Sequence, residues 1–390
     1  MRRRFNTTGS CNPKQHYMVN MDSRLAEIRE MVAYGDYFTI NRARQYGKTT
    51  LLRALGTYLE PDYIVVGMDF QFFTHESFRD ERAFVSSFTE NFLWALQGVS
   101  GVDEKVLAQM QEEIGSDTYG LTRLFYYLRV FCSRAERPVV LLIDEVDSAS
   151  NNQVFLDFLG LLRGCYLHRD RYETFQSVIL AGVYDIKRLK DKIRSDETRR
   201  NNSPWNIAAD FNVDMSFHVT DIQGMLAAYE QDYHTGMALS EMAQLLYDYT
   251  SGYPFLVSRL CKLLDEQVAG RIEGYPDKAS AWTKAGFLEA VKLLLAEKNT
   301  LFEYLTNKIM NYPELRQMLH RVLFSENKIM YNTYNETIGI ATMLGCVKNQ
   351  NGVLTMANPI FETRLYNLFL SEKALDSILY TEEAGDRTCT

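Results

Sequence analysis

Cysteines at metal-ligand spacing are missing from this sequence. The six present, Cys11, Cys132, Cys165, Cys261, Cys346 and Cys389, are scattered and form no CxxC pair. That scatter gives no zinc site and fits a reducing, cytoplasmic compartment. Runs of about 18 apolar residues are also missing, so no spanning helix and no membrane partner are expected. Arg2-Arg3-Arg4 opens the chain, but no apolar segment follows, and no secretory signal is expected. Low-complexity tracts and internal repeats are lacking. Positive charge is in deficit: the net charge is −8. A balance of that sign argues against general coating of nucleic acid. What the chain does have is apolar bulk. Its 390 residues are 46% hydrophobic, with 24 Tyr and 22 Phe, enough for two or three domains with thick cores.

Residues 7–19 hold Gly, Asn and Pro and read as an extended arm. A helix follows, capped by Ser23, with Leu25, Ile28, Met31 and Val32 at helical spacing. Strands are expected over 37–40, 63–70, 139–143 and 177–181, with a last short one near 211–215. Between them lie the helix carrying Leu51, Leu52, Leu55 and Leu59, a helical stretch over 78–136 broken near 98–101 and 115–120, and, after Gly182, a basic helix and a polar loop around Asn201-Asn202-Ser203-Pro204. Strands alternating with helices imply an α/β fold, a mostly parallel sheet with helices on both faces. Beyond Thr220 the pattern is helical only, interrupted at Gly252-Tyr253-Pro254. Near the end come a helix over 335–344, strands over 346–349 and 353–356 joined through Asn351-Gly352, and a helix from Asn358-Pro359 through Phe369. Helix, hairpin, helix is the order of a winged-helix unit. The expected division is an α/β domain over 1–220, a helical lid over 221–297, a winged-helix-like domain over 298–372 and a polar tail over 373–390.

One loop stands out. The strand at 37–40 runs into Asn41-Arg42-Ala43-Arg44-Gln45-Tyr46-Gly47-Lys48-Thr49-Thr50, and a helix follows. Strand, loop, Gly-Lys-Thr, helix is the arrangement of a phosphate-binding loop. Loop and helix N-terminal amides point at phosphates, where the helix dipole favours anions. Gly47 permits the close turn, Lys48 brings an ammonium to the β- and γ-phosphates, and Thr49 offers a hydroxyl to Mg²⁺. Arg44, Gln45, Tyr46 and Thr50 complete the candidate nucleotide-binding set. The usual pattern starts with glycine, and here Arg42 stands in that place. Arginine resists positive φ, so the entry of the loop must differ. Arg42 and Arg44 either add charge near the phosphates or pair with surface carboxylates.

The partner motif is the apolar strand over 139–143 followed by Asp144-Glu145, about 95 residues downstream. Asp144 at the end of a buried strand can hold the Mg²⁺ shell, and Glu145 can polarise an attacking water. Alone, this would be a buried strand meeting solvent. Beside the phosphate loop it makes ATP, Mg²⁺ and hydrolysis the expectation.

The arm Thr8-Gly9-Ser10-Cys11-Asn12-Pro13, the loop run from Tyr37 through Thr49, Asp69-Phe70-Gln71 and Ser203-Pro204-Trp205-Asn206-Ile207-Ala208 resemble the bacterial AAA-like ATPase family, itself similar to archaeal ATPases and STAND NTPases. The resemblance covers most of residues 5–370. It implies that Arg42 is a family trait. It also implies that Gly252-Tyr253-Pro254 is a lid motif whose Pro254 approaches the nucleotide. Many relatives carry a C-terminal nuclease. Little sequence follows residue 370, and Pro276-Asp277 has no E-x-K partner, so none is expected here.

Weaker constellations remain. Cys11 and His16 are two ligands only, and the arm is expected to pack beside the nucleotide or the sheet edge. Arg194, Arg199, Arg200 and Arg259 are candidate arginine fingers, and Tyr184-Asp185 is either a γ-phosphate sensor or a helix cap. Residues 298–370 hold seven Lys/Arg and five Glu, and the helix over 335–344 has no Lys or Arg. That favours a protein partner over DNA. The overall expectation is an ATP-hydrolysing switch. The alternatives are a nucleotide-gated scaffold holding ATP or ADP with negligible turnover, and an ATP-responsive DNA-binding regulator.

Overall fold

The computed structural model describes residues 2–149, 152–183 and 205–386, with side chains described as far as residue 374. The chain divides into two compact units. One comprises Met21–Arg42 and Gly47–Met215; the other comprises Met1–Asn20, Ala43–Tyr46 and Ser216–Thr390. The expected helix after Gly182, the loop at Asn201-Asn202-Ser203-Pro204, and Tyr184, Asp185, Arg194, Arg199 and Arg200 lie outside the described residues.

In the first unit, α1 (Asp22–Ala33) precedes β1 (Phe38–Asn41), α2 (Lys48–Leu59) and β2 (Ile64–Asp69). Three helices follow, α3 (Glu81–Ala95), α4 (Glu104–Glu113) and α5 (Leu121–Arg134). They break where Gly98, Gly101 and Gly115 take positive φ. Then come β3 (Val139–Asp144), α6 (Gln153–Leu167) and β4 (Ser177–Gly182). The four strands are all parallel, in the order β1-β4-β3-β2. Every residue of β3 and β4 is buried, as a strand covered on both faces must be, which is why both read as unbroken apolar runs. On one face α2 lies close enough that a Cβ added at Gly56 would meet Val65 and Leu142 at 3.9 Å.

The opposite face packs on α3, α5 and α6 through an aromatic core. Phe158 is its hub, fully buried, with ring centroids 5.0 Å from Phe88, 5.4 Å from Phe125 and 5.5 Å from Phe84. The abundant phenylalanines are spent here. Each buries a large apolar area, and tilted or edge-on pairs add to it.

The strand expected near 211–215 does not form. A single parallel bridge joins Phe38 to Ala209, with Ala209 N donating to Tyr37 O at 2.8 Å. Beyond it, arginine side chains take the carbonyls a ladder would use. Arg42 Nη2 donates to Val213 O at 2.9 Å and Arg24 Nε to Asp214 O at 2.7 Å, while Phe211 stacks on Phe38.

In the second unit, α7 (Val219–Tyr233), α8 (Leu239–Thr250), α9 (Pro254–Leu263), α10 (Lys284–Ala296), α11 (Thr300–Asn311), α12 (Pro313–Phe324) and α13 (Glu336–Met343) lead to the hairpin β5 (Val347–Gln350) and β6 (Val353–Met356). Asn351 and Gly352 both have positive φ, as a two-residue hairpin turn of matching twist demands. The final helix, α14 (Pro359–Asp386), runs past the Phe369 expected as its end, into the stretch read as a tail. No proline or glycine occurs between Ile360 and Ala384 to stop it. The N-terminal arm packs within this unit: Phe5 is buried against Tyr17, Tyr229 and Trp282. His16 Nδ1 accepts from Asn12 N, and burial lowers its pKa. Among the described residues no helix is long and apolar enough to cross a membrane.

If Phe158 is the hub, Phe158→Ala costs the first unit about 3–5 kcal/mol, whereas Tyr34→Ala at the exposed end of α1 stays within about 0.5 kcal/mol. Urea unfolding of the two variants against the parent chain measures both.

Candidate functional site

The site starts from the end of β1. Arg42 N donates to Gly182 O at 3.3 Å, which carries the chain one residue beyond the strand beside the end of β4. Arg42 then does what a glycine could not. Its guanidinium donates to Asn41 O and Val213 O and stacks over the Phe211 ring at 5.3 Å. These contacts anchor the loop entry.

At the other end of the loop, Gly47 has φ 82° and serves as the N-cap of α2. A side chain there would be strained, and the space over its Cα is open, with no atom within 4 Å of an added Cβ. Lys48 and Thr49 open the helix, and Thr50 follows in the same first turn, whose amides have no intrahelical acceptors. Lys48 is buried and folds back across the loop, Nζ donating to Arg42 O at 2.9 Å. Thr49 Oγ1 donates to Asp144 Oδ2 at 2.6 Å.

Asp144 is the last residue of β3 and only 5% exposed. Burial raises its pKa, and the neighbouring Asp69 carboxylate adds to this. The Thr49 hydroxyl, the Glu145 amide and the Lys48 ammonium pull the other way. Asp69 is there because β2 and β3 pair in parallel with Asp69 opposite Asp144. It was not among the candidate residues, although both acids could be seen ending apolar strands. The chemistry is that of an oxygen donor pair, one hydroxyl and one carboxylate, which suits a hard divalent cation.

Glu145 leaves the strand with φ 53°, a conformation that costs a non-glycine residue about 1–2 kcal/mol. Its amide donates to Asp144 Oδ1 at 2.9 Å. The turn therefore sends Glu145 off the sheet instead of continuing the alternation of β3. Lys48, Thr49, Asp144 and Glu145 are brought together in the first unit.

Arg44, Gln45 and Tyr46 pack within the second unit. The Arg44 guanidinium lies 4.4 Å from the Tyr304 ring centroid, and Arg44 O accepts from the Tyr253 hydroxyl at 2.5 Å. Gln45, at φ 56°, donates through Nε2 to Thr300 Oγ1 at 2.9 Å. Tyr46 shares a hydrogen bond with Ser216 Oγ at 2.8 Å, and its ring meets Tyr253 edge-on at 4.7 Å. Pro254, next to Tyr253, is buried at the first position of α9. Gly252 before it is forced, since a Cβ there would lie 2.1 Å from Phe217 O. Tyr253 was legible only as the middle of Gly252-Tyr253-Pro254, and nothing marks Tyr304 among 24 tyrosines. Arg259, a candidate finger, donates to both carboxylate oxygens of Glu297, which also accepts from Asn299.

An all-parallel sheet with a Lys-Thr helix N-terminus set beside an acidic strand end defines the P-loop ATPase class of fold. The profile of the AAA-like domain family matches residues 9–371, and the chain belongs to that family. The Walker-type ATPase PABY2304 of Pyrococcus abyssi shares its fold: the likeness covers 93% of this chain and 99% of that one at 12% identity, with a TM-score of 0.60. The ORC2 protein of Aeropyrum pernix, solved as ADPNP-ADP complexes, aligns over 95% of this chain and 97% of its own at 12% identity and a TM-score of 0.46. No curated protein matches the chain.

The Thr49–Asp144 bond gives a test that needs no ligand. Thr49→Val strands a buried carboxylate oxygen and costs about 1–3 kcal/mol, while adding Asp144→Asn recovers part of the loss. Thr49→Ser stays near the parent. Urea unfolding of nucleotide-free protein reads all three.

Proposed function

We propose that this chain binds ATP with Mg²⁺ and hydrolyses it, using the energy as a switch. The observation that carries the reading is the convergence of Lys48, Thr49, Asp144 and Glu145 around one helix N-terminus, sealed by the 2.6 Å Thr49–Asp144 contact. Gly47, Lys48, Thr49 and Thr50 supply amides to the phosphates, helped by the dipole of α2. Lys48 exchanges its Arg42 carbonyl for phosphate oxygens. Thr49 and Asp144 hold Mg²⁺, which when bound neutralises charge on the β- and γ-phosphates. Asp144, strained as an anion by burial, is suited to that role. Glu145 orients the attacking water and takes its proton, and Arg44, Gln45, Tyr46 and Pro254 flank the nucleotide.

The switch part of the reading rests on Ala43–Tyr46, whose side chains and carbonyls contact Tyr253, Thr300, Tyr304 and Ser216. A change in the loop on hydrolysis is then felt by the lid over 221–297 and the winged-helix-like domain over 298–372. The seven Lys/Arg and five Glu of residues 298–370, with no Lys or Arg on the helix over 335–344, favour a protein partner for that domain, in the cytoplasm, over a nucleic acid.

Glu145→Gln should lower Mg²⁺-dependent phosphate release by about 10²–10⁴-fold and leave ATP affinity nearly unchanged. Release assays and nucleotide titrations on the two proteins decide it. Equal rates in both would remove Glu145 from catalysis, and tight, unturned-over nucleotide in the parent chain would favour a gated scaffold.

A further inference from the structure

We propose that Asp147 is a positioning residue for hydrolysis: it ties the turn that aims Glu145 to the end of β4. The inference rests on the hydrolytic reading above. Glu145 lies one residue beyond β3, with φ 53°. The 3-10 segment Val146–Ala149 follows it directly, so the placement of that turn bears on where Glu145 points.

Contacts from three residues, Val146, Asp147 and Ser148, fix that turn. Asp147 Oδ2 accepts the backbone N–H of Val183, the first residue beyond β4, at 2.5 Å. Ser148 Oγ lies 2.9 Å from Glu145 O and 3.2 Å from Phe70 O, and Ser148 N donates to Glu145 O at 3.1 Å. Val146 and Asp147 cover the face of Gly182, where an added Cβ would sit 2.9 Å from Asp147 Oδ1 and 3.0 Å from Val146 Cγ2. Gly182 has no positive φ, so glycine is required by space alone: the turn occupies the room a side chain would take.

Gly182 is also the residue whose carbonyl receives Arg42 N at the loop entry. The Asp147 carboxylate thus grips the point where the end of β4 and the start of the phosphate loop meet, two residues from Glu145. An ionised acceptor holds a backbone amide more firmly than a neutral one. Ser148 ties the turn to Glu145 O and to Phe70 O, just beyond β2; Asp147 ties it to Val183, just beyond the strand beside the loop.

The test is steady-state phosphate release by the parent chain, Glu145→Gln, Asp147→Ala, Asp147→Asn and Gly182→Ala, with the MgADP dissociation constant of each measured by calorimetry. Asp147→Ala and Gly182→Ala should lower kcat about 10- to 100-fold with MgADP affinity held within about threefold, as a misaimed catalytic group does. Asp147→Asn keeps an acceptor for Val183 N and should recover most of kcat. A parent-like kcat for Asp147→Ala beside a slow Glu145→Gln overturns this proposal alone. So does a loss of affinity in step with kcat, which would mean a structural role only. Equal rates for the parent chain and Glu145→Gln would sink the hydrolytic reading and this inference with it.

Discussion

A buried carboxylate at the end of β3 organises the α/β unit. Asp144 is removed from water, a costly place for an anion, and the neighbourhood is arranged around that cost. Thr49 donates its hydroxyl from the first turn of α2, Glu145 donates its amide from the next residue, and the Lys48 ammonium stands by. Asp69, held opposite by the parallel register of β2, works against them. These contacts require α2 to start where it does, which requires Gly47 in the left-handed region, which requires the loop to be anchored at its entry. Arg42 provides that anchor through two carbonyls and an aromatic face. The geometry of the site is therefore a consequence of where one strand ends.

Much of this could be read in advance, for identifiable reasons. A strand covered on both faces must be apolar throughout, so β3 and β4 announce themselves. Gly-Lys-Thr between a strand and an amphipathic helix names Lys48 and Thr49, and the acidic end of the most apolar strand names Asp144 and Glu145. What could not be read depends on contacts between residues distant in sequence. Residues 211–215 look like a strand, yet Arg42 and Arg24 claim the carbonyls at 213 and 214. The arm carries no sign that Phe5 seeks Tyr229 and Trp282, more than 200 residues away. Asp69 becomes part of the site only through register, which a single sequence does not state. Hydrophobic period locates elements; it says little about which polar side chain satisfies which backbone group.

The phosphate loop shows a division of labour that its motif conceals. Its ends, Arg42 and Gly47, are fixed by the sheet and by helix geometry, whereas Ala43–Tyr46 belong with residues of the C-terminal unit. Tyr253 is central there. It donates to Arg44 O, meets Tyr46 edge-on and touches Phe361 at 5.4 Å between centroids, while Gly345 leaves room for Ala43 and for its own ring. Gly252 and Pro254 on either side hold Tyr253 in place, one by close approach to Phe217 O and the other by starting α9. The Gly-Tyr-Pro motif is therefore as much about presenting the tyrosine as about the proline. A non-glycine residue at positive φ, Gln45, sits in the middle of the loop, and another, Glu145, sits at the end of β3. Residues held in such conformations persist only where surrounding contacts overdetermine them. For Gln45 those contacts come from Thr300 and the aromatic neighbours of Arg44 and Tyr46; for Glu145 they come from Asp144, which accepts its amide, and Ser148, which donates to its carbonyl.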